Sequence, residues 1–88
     1  MNIMLDMELR DTAALMQSDD YKDRFRAEYY QLVIRYEKLR TMLDHWDKGE
    51  LNFIPPCDRA LYDAQLRAMS KYITALEARA EREGIELE

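Results

Sequence analysis

From Asp19 to Lys48 the chain sets apolar side chains at Phe25, Tyr29, Leu32, Tyr36, Leu39, Leu43 and Trp46, in steps that alternate four and three. This is the seam of a helix packed along its length against a partner helix. A long helix is therefore predicted over about 19–48. Ser18, Asp19 and Asp20 supply acceptors and negative charge for its first-turn amides, and Lys48 and Gly49 suit its far end. The alternation returns at Tyr62, Leu66, Met69, Ile73, Leu76 and Ala80, with Gly84 closing a second helix predicted over about 58–83. The stretch between them, "LNFIPPC", holds both prolines and the one cysteine. Proline breaks a preceding helix and is tolerated in a following first turn, so "IPP" marks the bend of a hairpin. Either Pro56 opens the second helix with Asp58 in its first turn, or Asp58 caps it and Arg59 begins it. Leu51, Phe53 and Ile54 are expected to fold back over the helix ends.

Before the hairpin, "MELRDTAALMQ" places Leu5, Leu9, Ala13 and Met16 at helical spacing, which predicts a short helix over about 8–17. After it, "EREGIELE" reads as a frayed acidic tail whose Ile85 and Leu87 tuck against a neighbour. The fold class is all-α: a long antiparallel helical hairpin with a short N-terminal helix, one domain over 1–88.

A hairpin buries one stripe per arm, yet the second arm carries another apolar line at Leu61, Ala64, Ala68, Tyr72 and Ala75, and the first adds Tyr30, Val33 and Met42. At about 25 cal/mol per Å² of apolar surface, leaving these wet forfeits several kcal/mol, comparable to the whole stability of a small domain. The pattern therefore predicts a homo-oligomer built on helix faces, with a three-helix monomer as the competing arrangement. Six tyrosines suit such interfaces, since the ring buries while the hydroxyl keeps a polar partner.

Composition narrows the function classes. A net charge of -5 disfavours general affinity for long nucleic acid, which depends on neutralising phosphates. One cysteine makes no internal disulfide, "MNIMLDMELRD" lacks the basic start of a secretory signal, and no apolar run spans a bilayer. A cytoplasmic location and no membrane partner are expected. His45 and Cys57 are single, whereas a zinc site takes about four ligands, so neither a metal nor another cofactor is expected. Nothing orients a Cys–His nucleophile, two glycines leave no phosphate loop, and pairs such as Asp19 with Asp23 read as solvated. No catalytic residue is assigned, and the protein is expected not to be an enzyme.

The most informative constellation is basic and aromatic. Lys22, Arg26, Tyr29 and Val33 share one face of the first arm, while Arg35 and Lys38 flank Tyr36 on another. Guanidinium groups fork onto phosphates and stack on bases, and tyrosine rings offer stacking surfaces. Arg59 lies where helix-start amides also receive an anion. Candidate ligand-binding residues are Arg26, Tyr29, Arg35, Tyr36, Lys38 and Arg59. Ion pairing of the same cations with Glu28, Glu37 and Asp63 is the competing reading.

The segments "DYKDRFRAEYYQLVIRYEKL", "LNFIPPC" and "QLRAMSKYITALEARAEREGIEL" resemble, over most of the 88 positions, small phage and prophage proteins related to the crAss-like phages. A looser resemblance joins "RYEKLR", a connection ending in "PP" with an Arg soon after, and a second helix of Leu and Ala steps around Tyr72. It looks like the hairpin of phage anti-CBASS and anti-Thoeris proteins, helical oligomers that act as sponges for cyclic nucleotide signals of bacterial immunity. That resemblance implies a phosphate-binding role for Arg35, stacking by Tyr29 or Tyr36, and a basic role for Arg59. The connection is longer here, and the first twenty residues have no counterpart. The implied partners are a second copy of the chain and a cyclic oligonucleotide or other small anionic nucleotide, inside an infected bacterial host. The alternative is a phage accessory protein or inhibitor whose acidic, tyrosine-rich helix faces bind a host protein.

Overall fold

The computed structural model describes residues 7–87, all of whose regular elements are helical. A 3-10 turn, Leu9–Thr12, runs into a one-turn helix α1, Ala13–Met16. Two long helices come next, α2 over Tyr21–Asp47 and α3 over Arg59–Glu83, and they pack as an antiparallel hairpin 43 Å in its longest dimension.

The helix ends follow their side-chain chemistry. The Asp20 carboxylate accepts from the Lys22 amide at 2.9 Å, and Ser18 Oγ accepts from the Asp20 amide at 3.0 Å. Lys48 caps the other end of α2, and Gly49 follows at φ +70°, the left-handed conformation glycine adopts without penalty. Of the two openings predicted for α3, the one with Asp58 as cap and Arg59 as first residue is found. Gly84 ends α3 at φ +68°, and the Ile85 amide donates back to the Ala80 carbonyl at 2.8 Å, the six-to-one bond of a Schellman closure.

The core sits at the end of the hairpin away from the prolines. Phe25, Tyr29, Tyr30 and Val33 of α2 cluster with Ile73, Leu76 and Ala80 of α3 and with Ile85. Met7, Leu15 and Leu87 pack on its flanks. Toward the proline bend only Leu43 is buried, and Leu39, Trp46, Tyr62, Leu66 and Met69 remain half-buried. The heptad seam thus holds at Phe25, Tyr29 and Leu43. Val33 takes the inner place because a straight helix repeats every 3.6 residues and drifts away from a 3.5-residue seam.

Several expectations change at this level. Tyr30 and Val33, expected to need a neighbour, are buried within the chain. The acidic tail turns back at Gly84 and plants Ile85 in its own core instead of on a neighbour. Phe53 and Ile54 do not fold over the helix ends: they are 50% and 92% exposed, and only Leu51 and Pro55 lean inward. In the N-terminal segment Thr12 and Leu15 turn inward while Ala13 and Met16 face out, because the opening 3-10 turn takes three residues per turn and rotates the residues of α1 relative to an unbroken α-helix. Leu5 lies outside the described residues. The buried Thr12 hydroxyl donates to the Leu9 carbonyl at 2.7 Å and accepts from the Gln31 amide at 2.8 Å, tying this segment to α2. Ala27 and Ile34, one turn to either side of Gln31, are buried on that face.

The second apolar line of α3 stays uncovered. The N-terminal segment packs on α2, leaving Leu61, Ala64, Ala68, Tyr72 and Ala75 all exposed, with Leu61 at 62%.

Candidate functional site

The six candidate residues separate into those that the fold consumes and those that it leaves open. Arg59 is consumed. Its guanidinium forks onto Asp47 at 2.6 and 3.2 Å, donates through Nε to Asp63 at 2.9 Å, and lies 5.3 Å from the centre of the Trp46 ring. The hydrogen bonds it donates to Asp47 and then to Asp63 hold its pKa above the usual arginine value, and the bond Asp47 accepts lowers that of Asp47. The expected anion role gives way to a strap across the bend, since two carboxylates already neutralise the group.

Arg26 is consumed as well. It donates to the Glu86 carbonyl at 2.8 Å and pairs with Asp23 at 3.1 Å. With Lys22, which reaches the Gly84 carbonyl at 3.3 Å, it holds the returning tail through carbonyls left free beyond the end of α3. Tyr29 has no exposed surface, so its ring, expected as a stacking platform, is occupied by the core. Its hydroxyl donates to Glu77 at 2.7 Å; burial first, and then that bond, push the phenol pKa up. Tyr36 is half-buried against the core with the Arg40 guanidinium 6.0 Å from its ring centre.

Arg35 and Lys38 are exposed and make no hydrogen bond or ion pair among the described residues. Three positions apart, they lie on one face of α2. Lys38 borders a shallow groove of about 370 Å³ that runs from Met42 and His45 to Leu51 and Phe53 in the bend. His45 Nδ1 lies 3.1 Å from Glu50, and the half-exposed Phe53 ring supplies a flat apolar wall. One unengaged cation at the rim, an aromatic wall and a methionine side chain can meet a compact ligand with an anionic end and a flat end, beside the Glu50 carboxylate that also lines the groove; Arg35 stands one turn away on α2, outside the groove's lining. The larger groove, about 470 Å³ between α2 and α3, offers less to an anion: Arg40 and Arg59 there face Asp44, Asp47 and Asp63.

The candidate residues therefore do not form one cluster. Arg26 and Tyr29 belong to the core end, Arg59 to the bend, and only Arg35 and Lys38 stay together and open. Sequence reasoning passed over Phe53 as a wall and the exposed pair Arg67 and Lys71 on α3. The pair was available as two cations four apart, with Asp63 the one carboxylate three or four residues from either, and the structure gives Asp63 to Arg59.

Fold and surface together define a small all-helical hairpin protein with a shallow, cation-edged groove. The model of the Sequestin family matches residues 19–82, which span both arms and the bend, and the chain belongs to that family. No curated protein and no solved structure matches it. Among the described residues no helix is long and apolar enough to cross a membrane.

Proposed function

We propose that this protein is a non-enzymatic sponge, encoded by a phage, that binds a small anionic nucleotide of the cyclic oligonucleotide class and lowers its free concentration without breaking a bond. Membership of a family named for sequestering is the observation that carries the reading. The open face at Arg35 and Lys38 supports it, because an unpaired cation gives phosphate a charge-assisted bond, and Lys38 shares its groove with the Phe53 ring, which offers a base a stacking surface. The groove is shallow, so tight binding needs a second surface to exclude water. By mass action, a host effector that senses the free signal stays silent while protein sites exceed ligand.

Isothermal titration against cyclic di- and trinucleotides and ADP-ribose derivatives tests the proposal. A saturable heat with at least one member, weakened about tenfold or more by Arg35→Ala with Lys38→Ala, is expected. No heat with any member contradicts the reading and favours the alternative, a protein-binding inhibitor whose partner meets the acidic helix faces.

A further inference from the structure

The way α2 ends is dictated by "HWDKGE", which runs from His45 through Gly49 at φ +70° to Glu50. The Gly49 amide donates to the Trp46 carbonyl at 3.0 Å and the Glu50 amide to the His45 carbonyl at 2.9 Å, the paired bonds of a Schellman closure. That closure lays the residue after the glycine over the one that opens the last turn, and a hydrophobic contact frequently joins the two positions. Here they are Glu50 and His45, and the carboxylate comes to 3.1 Å from Nδ1. The backbone thus fixes an ionisable pair in the groove that Lys38 and Phe53 also line.

A neutral imidazole carries one N–H and one lone pair, and an ionised carboxylate only accepts. The proton of neutral His45 therefore belongs on Nδ1, facing Glu50, and Nε2 keeps the lone pair. No hydrogen bond engages Nε2 among the described residues. Toward a phosphate oxygen, itself an acceptor, that nitrogen offers nothing. A proton added at Nε2 reverses this: the atom becomes a donor and the ring a cation, while Nδ1 stays bonded to Glu50. Histidine is the side chain that changes charge between about pH 5 and 8, and His45 is the one histidine of the chain. Lys38 of α2 and Glu50 of the bend are the charged groups that line the groove with it, while Asp44 and Lys48, its neighbours in the last turn, pair with each other at 3.1 Å. Among the described residues neither α3 nor the N-terminal segment contributes to the lining. With His45 neutral, Lys38 and Glu50 cancel; with His45 protonated, the groove carries one positive charge. The carbonyl end of α2 favours the protonated ring as well.

We infer that His45 is a specificity-determining residue of this groove: held in place by Glu50, it joins Lys38 as a second cation only when protonated, so that a flat ligand bearing a phosphodiester binds with uptake of a proton. The anion favours the protonated ring, so its affinity rises as pH falls. That the ligand is the sequestered nucleotide rests on the function proposed above; the proton linkage rests on the closure of α2.

Cyclic AMP, a flat base on one phosphodiester, is the probe, used with the full chain. The diester keeps its single charge across the range in which histidine changes its own, so a change of affinity belongs to the protein. Titrations followed by the NMR signals of the Phe53 ring should give an affinity about threefold to tenfold higher at about pH 5.5 than at about pH 8. Calorimetry near neutral pH, in buffers of different ionisation enthalpy, should show the uptake of protons. His45→Gln should remove the pH response and the uptake while keeping the affinity found at high pH, and Glu50→Gln should raise that affinity because the opposing charge is gone. Absence of binding at both pH values, equal affinity at both, a pH response that survives His45→Gln, or a weaker complex with Glu50→Gln at high pH overturns the inference. If cyclic AMP binds with the expected signature but no cyclic di- or trinucleotide is sequestered, the proposed function fails while this inference stands. If a cyclic dinucleotide is sequestered with an affinity indifferent to pH and to His45→Gln, the inference fails while the function stands.

Discussion

Ile85 and Ile54 allow one substitution to be made at opposite extremes of burial. Ile85 lies beyond the last turn of α3, yet is 5% exposed among Phe25, Tyr29, Tyr30 and Ala80, whereas Ile54 in the bend is 92% exposed. Ile85→Ala removes buried carbon and leaves a cavity that the Schellman closure hinders from collapsing, because the Ile85 amide stays bonded to Ala80. Isoleucine-to-alanine changes in cores cost about 2–5 kcal/mol, and the lower half of that range suits a residue at the edge of a small core. For a domain of this length each kcal/mol moves Tm by about 4–8 °C, so the expected fall is about 8–28 °C. Ile54→Ala should stay within about 0.5 kcal/mol. Both variants are measured by circular dichroism at one low protein concentration, since association raises Tm by mass action. Equal Tm values for the two variants would refute the placement of the tail in the core.

Other substitutions probe separate parts of the account. Gly84→Ala meets nothing within 4 Å of its new Cβ, so its cost is the left-handed backbone alone, about 1–2 kcal/mol by urea unfolding; an unchanged midpoint would contradict it. Tyr29→Phe should cost about 1 kcal/mol through the lost bond to Glu77. The raised Tyr29 phenol contributes stability that is present below the ordinary tyrosine pKa and lost as pH rises through the folded value, so this variant should lose less stability in strong alkali. Asp47, held down chiefly by Arg59, and Glu83, held down chiefly by Tyr21 and then Arg79, give the opposite sign. Their contribution is present above the ordinary carboxylate range and is lost as pH falls through the lowered values. Asp47→Asn should start with a lower Tm at neutral pH and fall less on acidification than the unaltered chain; parallel curves would refute the strap at the bend.

The long helices were legible because their information is local. Asp20, Gly49, Asp58 and Gly84 mark helix ends by backbone chemistry that needs no tertiary context, and the structure moves the predicted boundaries by at most two residues. What failed was information held between segments. Tyr30 and Val33 look like surplus apolar surface until the tail and the drift of α2 are known, and Ile85 looks frayed until Gly84 turns it inward. Arg26, Arg59 and Tyr29 have the right chemistry for a nucleotide; the partners Asp23 and Asp63 lie within one turn, but Asp47, Glu77 and Glu86, which complete their engagement, lie 12 to 60 positions away. Arg35 and Lys38 stay unpaired among the described residues because no distant segment reaches them. The surplus on α3 was legible for the same reason, since its five side chains stay exposed and only the Tyr72 hydroxyl is engaged, donating to Glu28 of α2.

Sequestration is tested most directly by recovery of the ligand. A cyclic nucleotide that binds in the titration is mixed with excess protein, the filtrate is assayed for free ligand, and the retained protein is then denatured and its ligand identified by mass spectrometry. The account predicts a filtrate depleted in proportion to protein sites and return of the intact nucleotide from the denatured fraction. An undepleted filtrate, or recovery of hydrolysed nucleotide, would contradict it.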